Sequence, residues 1–222
     1  MTNKLGFIVS CISIYGSKSA CYVRSVRLIC EEKGVDYVLE RVEFGSPAHF
    51  EIHPFGKLPG FRHGDIKLYE SVAIGVYIDE IFEGPPLQPR DTLARVHMFQ
   101  WLSAIGDYGA QYLIRELALP RILAPLRGET PDEEAIQESL PRVERFLKVA
   151  NDTLSERAYL AGPEISLADL VLVPMIATVL QTPEGRDIVP RFAAVKCWFD
   201  TMAARPSFAA AHPPRSSRVK AA

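Results

Sequence analysis

Two short stretches carry side chains whose types and spacing could do chemistry. The first, Tyr15-Gly16-Ser17-Lys18-Ser19-Ala20-Cys21, gathers a phenol, two hydroxyls, an amine and a thiol where an apolar run gives way to helical spacing. A thiol near the first turn of a helix should have a depressed pKa, and a neighbouring hydroxyl can hydrogen-bond an anion. The plainer reading is that the serines shape a turn, Tyr15 packs and Cys21 is a small buried hydrophobe. The second stretch, Glu70-Ser71, opens an apolar helical run. A hydroxyl and the free N–H groups of a helix start can bind a carboxylate, and an acid beside them can face an ammonium. The same pair is also an ordinary N-cap with a solvated acid before it. His49, His53, His63, His97 and His212 show no metal-ligand spacing with Cys or acids, so no metal is expected.

The elements that must position these groups come in a definite order. Phe7 to Tyr15 is rich in Ile, Val and Phe and predicts a strand, followed by a polar turn. Val23, Val26 and Cys30 recur at helical spacing from Cys21, and Glu31-Glu32-Lys33-Gly34 supplies a glycine stop. Val35 to Val42 alternates as a second strand, which completes a βαβ unit with parallel pairing. Phe44 to Phe55 reads as irregular. Pro59 has no N–H for a ladder, so it stands at the head of a strand over Gly60 to Arg62. His63-Gly64-Asp65 reads as a hairpin turn into an antiparallel strand, Ile66 to Tyr69, and a helix winds from Ser71 toward Gly84.

Pro85, Pro86 and Pro89 mark a stiff connector, beyond which only helical periods occur. These run through Val96, Phe99, Leu102 and Ile105; Ile136 to Leu154; Leu167 to Leu180; and Val195, Trp198 and Met202. Thr130-Pro131-Asp132-Glu133 offers an N-cap with a proline at the first helical position, and Ser166 with Asp169 a reciprocal cap. The fold class expected is α/β plus all-α. Residues 1–84 form the first domain, 85–92 a linker, 93–211 a helical domain, and 212–222 a disordered tail.

A chain of 222 residues with 48% apolar and 23% charged residues has the balance of a soluble globular protein. Its formal net charge of -2 gives no long-range pull toward nucleic acid or an anionic membrane, so neither is an expected partner. Leu5 to Tyr15 is too short and too interrupted for a signal sequence or a membrane span. Cys11, Cys21, Cys30 and Cys197 have no paired spacing, which favours a reduced, cytoplasmic setting.

This order of elements resembles the soluble glutathione S-transferase family, in its serine- or cysteine-type bacterial or phi-like form. The marks are Pro54-Phe55-Gly56-Lys57-Leu58-Pro59, Leu68-Tyr69-Glu70-Ser71, the Arg24 to Gly34 helix and Ser166-Leu167-Ala168-Asp169. The resemblance implies a thioredoxin-like βαβ-ββα domain that binds glutathione as co-substrate, and a small electrophile, apolar in character, as the second substrate. It also implies a homodimer in the cytoplasm and a role in detoxification. It implies a cis Leu58-Pro59 peptide, with Leu58 lending backbone N–H and C=O to the cysteinyl part of the ligand. Glu70 and Ser71 would hold the γ-glutamyl end, and Lys57 would lie near the glycyl carboxylate.

An ungapped match of Tyr15-Gly16 and Tyr22-Val23-Arg24 to the family's serine motif puts Ala20 where the catalytic hydroxyl is expected. At a thiol pKa of about 8.5 only roughly 3% is thiolate at pH 7; a drop of about two units, near 2.7 kcal/mol, raises that to roughly 75%. Ser19, Cys21 and Tyr15 are the candidate substitutes, with backbone N–H groups of the helix start as the alternative to any side chain. Three readings stay open: a conjugating transferase, a glutathione-binding carrier, and a thiol-disulfide reductase working through Cys21. Tyr108, Tyr112, Trp101 and Phe99 either line an apolar second-substrate cleft between the domains or belong to the core. Asp107 is a candidate for the glutathione ammonium across a dimer contact.

Overall fold

A computed structural model describes residues 11–212. The first half is a four-stranded sheet in the order β2-β1-β3-β4, built from β1 (Ile12–Tyr15), β2 (Tyr37–Glu40), β3 (Gly60–His63) and β4 (Ile66–Tyr69). β1 pairs parallel with β2 and antiparallel with β3, and β3 pairs antiparallel with β4. The parallel pair follows from the crossover helix α1 (Cys21–Lys33) between β1 and β2. Alternation along β1 turns Ile12 and Ile14 into the core. Ser13 and Tyr15 therefore take the other face. Gly34 ends α1 in the left-handed conformation at φ 66, as the glycine stop predicts, and its N–H reaches the carbonyls of Cys30 and Glu31.

Several expectations need adjustment. The strand expected from Phe7 runs from Ile12 to Tyr15, and residues 7–10 lie outside the described residues. The second strand is shorter than Val35 to Val42. The stretch expected to be irregular contains α2 (Pro47–Ile52), with Ser46 as N-cap accepting from the His49 N–H and Pro47 at the helix start. α2 leans closely on the sheet: a Cβ on Gly60 would fall 1.9 Å from Ile52 Cγ2. α3 (Ser71–Ile81) follows β4.

The linker is held by a buried ion pair between Lys33 and Asp79, 3.0 Å apart. The Asp79 carboxylate also accepts the N–H groups of Leu87 (2.9 Å) and Gln88 (3.1 Å), while Lys33 donates to the carbonyls of Gly84 and Pro85. Both charges are thereby matched by hydrogen bonds, as burial requires.

The second half holds helices joined by loops and no strand among its described residues. α4 (Thr92–Ala104) runs through a π-wound stretch (Ile105–Ala118) into α5 (Leu119–Leu126), the junction residues all keeping right-handed helical dihedrals. The inward face of α4 is Met98, Trp101 and Leu102, continued by Ile105; Val96 and Phe99, expected inside, are exposed. Then come α6 (Glu133–Glu156), α7 (Leu167–Val179), α8 (Pro183–Ile188), a 3-10 turn (Val189–Arg191), α9 (Ala193–Ala203) and α10 (Pro206–Ala211). The cap of α6 is Asp132, whose side chain accepts the Ala135 N–H at 3.0 Å, and not Thr130. α7 is buried along its whole length. The Ser166–Asp169 capping box opens it, and the buried Asp169 carboxylate also takes Leu160 N–H and Trp198 Nε1–H, both at 3.0 Å. Burial pushes the Asp169 carboxyl pKa up, and these donors oppose it. The tail expected at 212–222 lies outside the described residues apart from His212. No single helix among the described residues is long and apolar enough to cross a membrane.

Candidate functional site

The two stretches singled out by their chemistry meet at the end of the sheet. β1 delivers Tyr15 opposite Gly60, so the loop after Tyr15 and the turn before Gly60 are neighbours. Gly16 sits between them at φ 154, and a Cβ there would lie 2.5 Å from Val23 Cγ2 and 3.5 Å from Leu58 Cδ2. Only glycine lets the chain pass.

On the side of β3, the Leu58-Pro59 peptide is cis, and Leu58 is half-buried against the core. The preceding turn is clamped by His49. Its Nδ1 accepts the Gly45 N–H at 3.0 Å, which leaves the proton on Nε2, and Nε2–H donates to the Lys57 carbonyl at 2.9 Å. Lys57 itself is exposed. The helix start differs by one residue from the simplest capping expectation. Glu70, not Ser71, is the N-cap of α3, and Ser71 is the first helical residue. Glu70 is the one non-glycine residue with positive φ among those described, at φ 68 and ψ 115, a conformation that costs about 1–3 kcal/mol. Its carboxylate caps nothing and is 66% exposed. The Ser71 side chain has no hydrogen-bond partner among the described residues, and the first amides of α3 point along the helix axis beside it. A hydroxyl, free amides and an outward carboxylate thus stand together, fit to receive a carboxylate and an ammonium on adjacent atoms.

On the other side, Ala20 is the N-cap of α1 and offers no side-chain cap. Ser19 lies one residue outside the helix, exposed, its hydroxyl 2.8 Å from that of Ser17. Arg24 N–H bonds the Ala20 carbonyl, so the amides of Cys21, Tyr22 and Val23 precede the first helical hydrogen bond and remain available as donors. Cys21 begins α1, but its thiol is turned to the helical half, 3.3 Å from Thr178 Oγ1 on α7. Burial pushes the Cys21 thiol pKa up, with Thr178 and Arg24 pulling the other way. The depressed thiol expected from its place on the helix is therefore not found, because desolvation outweighs the helix start. Tyr15 is half-buried on the sheet face away from Ile14.

Three residues near the site were not singled out by sequence reasoning. His49 lies on α2 and His53 is its C-cap, the first ring bonded to the Lys57 carbonyl and the second facing Glu70. Tyr22 on the first turn of α1 is pushed up to about 12 by burial and the neighbouring Cys21, with Arg115 opposing and Glu70 and Asp107 adding to the rise. The signal for the two histidines was the Ser46-Pro47 helix start.

Trp101, Tyr108 and Tyr112 line a cavity of about 360 Å³ with Phe146 and Val149. Its walls come from α4, the π-wound stretch and α6 alone, so it lies within the helical half and not between the domains. Phe99 takes no part in it. Among the described residues, no group of three His, Cys, Asp or Glu side chains comes together as metal ligands, and all four cysteines are free.

A thioredoxin-like sheet with a cis-proline turn, followed by a helical domain, defines the class of fold. Residues 14–86 match the glutathione S-transferase N-terminal domain and residues 110–206 the glutathione S-transferase C-terminal domain. Glutathione S-transferase F10 of Arabidopsis thaliana is 32% identical over 201 residues, covering 87% of this chain and 93% of the relative. A probable glutathione S-transferase of Oryza sativa subsp. japonica is 30% identical over 212 residues, covering 88% and 93%. Among solved structures, glutathione S-transferase I from Mais in complex with an atrazine glutathione conjugate superposes with a TM-score of 0.83 at 26% identity, covering 93% of this chain and 100% of that one. The chain belongs to the glutathione S-transferase family.

Proposed function

We propose that this chain is a glutathione transferase that binds the tripeptide along the Leu58-Pro59 turn and the start of α3 and activates its thiol at the mouth of α1. The observation that carries the reading is the conjunction at one edge of a cis Leu58-Pro59 step, an unpartnered Ser71 side chain at a helix start and an outward Glu70. Leu58 pairs its backbone with the cysteinyl unit, and Pro59 sets the turn. Ser71 and the α3 amides take the γ-glutamyl carboxylate, Glu70 takes the ammonium, and Lys57 reaches the glycyl carboxylate.

With Ala20 at the position of the family's serine, the thiolate is stabilised by the first-turn amides of α1 and by the Ser19 hydroxyl released from Ser17. The thiolate sulfur attacks the electrophilic carbon, a thioether forms, and the leaving group departs with the electron pair, the thiol proton having gone to solvent. The relatives' names support transfer to glutathione, and the atrazine conjugate held by the Mais enzyme supports an apolar electrophile as second substrate. Cys21, desolvated and facing Thr178, is a packing residue here, and Tyr15 lies half-buried on the sheet face opposite Ile14.

The protein acts as a homodimer in the cytoplasm, with residues 1–84 and 93–211 as its two domains. Phe50, Phe55 and Tyr69 are exposed on one half, and the cavity rimmed by Tyr108 and Val149 on the other, apolar surface that a second copy would cover. Sedimentation at micromolar concentration reads this: a species of one chain's mass would refute the dimer.

Turnover of a generic aryl halide with glutathione tests the reading. Ser19→Ala is expected to lower kcat about tenfold with little change in KM for glutathione, and Cys21→Ala to change either less than about twofold. Glutathione binding by the wild type with no turnover would favour the carrier reading, and loss of activity in Cys21→Ala alone would favour the reductase.

A further inference from the structure

His53 closes α2 and is buried to 1% exposure. Both its backbone groups are used: its N–H donates to the His49 carbonyl and its carbonyl accepts from Gly56 N–H, each at 2.8 Å. The ring is packed against Phe55 and Tyr69, with centroids at 6.4 Å and 5.2 Å. Nδ1 is buried without any hydrogen-bond partner, while Nε2 lies 3.9 Å from Glu70 Oε1. An imidazole held this firmly needs one polar partner to offset its desolvation. Glu70 is the acceptor within reach.

We propose that His53 is a positioning residue for glutathione: its Nε2–H donates to one oxygen of the Glu70 carboxylate and so aims the other at the ammonium of the ligand. This role rests on the glutathione-binding reading above. The charged or titratable groups around the ring are Glu70 at the cap of α3, His49 on α2, Lys57 on the following turn and Tyr69 on β4. Burial lowers the His53 pKa, Glu70 opposes, and His49 and Lys57 add to the lowering, so the ring is neutral at neutral pH. A carboxylate facing Nε2 selects the tautomer with the proton there and leaves the Nδ1 lone pair toward the apolar wall. Closing 3.9 Å to a hydrogen bond of about 2.9 Å takes only a rotation of the exposed Glu70 side chain. Its backbone direction is already set by φ 68. The contact thus orients a carboxylate that would otherwise sample solvent, and it acts on one feature of the ligand, the amine.

The experiment compares glutathione with the analogue in which hydrogen replaces the γ-glutamyl amine, by calorimetric titration of the full chain. His53→Leu is expected to weaken glutathione about tenfold and the desamino analogue less than about twofold. His53→Gln, which keeps an N–H donor, should stay within about threefold of wild type for both. Thermal unfolding of each variant verifies that the titrated protein is folded, and the ratio of the two ligands is taken on one sample. Equal weakening of both ligands, or no change for either, overturns the role of His53 while leaving glutathione binding intact. Failure of the wild type to bind glutathione at all overturns the binding reading and this role together.

Discussion

The ligand edge around Leu58, Glu70 and Ser71 and the thiol loop from Gly16 to Cys21 touch each other, yet they are built in different ways. The edge is fixed by backbone: a cis peptide, a clamped Lys57 carbonyl and a positive φ at Glu70, with the buried Ser71 hydroxyl unpartnered among the described residues and the Glu70 carboxylate turned outward. The loop spends its hydroxyls on each other, Ser17 on Ser19, and turns its one thiol into the seam with α7. The groups proposed to bind are held in place by backbone. The groups that would activate a thiol are chiefly the amides of a helix start, which no side-chain motif encodes. In the proposed reading, recognition is a matter of side chains on rigid backbone, and activation is a matter of where α1 begins.

That contrast can be broken at either region. The largest effect is expected at the edge: Glu70→Ala should weaken glutathione by roughly 30- to 100-fold, about 2–3 kcal/mol, by removing a charged partner of the ammonium. The Glu70 side chain is 66% exposed, so the same change should cost stability only through the acceptor it takes from the buried His53 ring, about 1 kcal/mol. Titration and denaturation of one variant check both. At the junction of the two regions, Gly16→Ala should destabilise by about 1–3 kcal/mol in chemical denaturation, because its methyl would lie 2.5 Å from Val23 Cγ2 at φ 154.

The smallest effect is a slope with pH. Burial lowers the pKa of His63 from its ordinary 6.5, and its Nδ1 lies 2.8 Å from the Tyr77 hydroxyl. A folded pKa below the unfolded one means the unfolded chain takes its proton first as pH falls. Stability from this group is therefore complete above about 6.5 and is lost on acidifying through 6.5 toward the folded pKa. His63→Gln should flatten that part of the stability profile between pH 7 and 5, and an unchanged slope would assign it elsewhere.

Much of the first half was legible. Alternation gave the strands, Gly34 the end of α1, and Pro59 the head of β3, because each rests on local backbone chemistry. α2 was missed: six residues carry too little periodicity to register, although Ser46-Pro47 was there to read as a cap. With α2 went His49 and His53, whose partners Lys57 and Glu70 are supplied by tertiary folding. The α6 cap was placed two residues early because Pro131 suits a first helical turn as well as the residue before a cap. The exposure of Val96 and Phe99 is set by which face of the long helix meets α6 and α7, and a period alone does not fix that. Cys21 was the most instructive miss. Its place on the helix was right, and the desolvation that reverses its pKa comes from α7, more than 150 residues away in sequence.

Calorimetric titration of glutathione into the wild type, Ser19→Ala and Glu70→Ala tests the central claim most directly, that binding resides in the α3 edge and not in the thiol loop. The account predicts that Ser19→Ala binds within about twofold of wild type while Glu70→Ala loses roughly 30-fold or more. Wild-type affinity in Glu70→Ala, or no glutathione binding by the wild type, would contradict it.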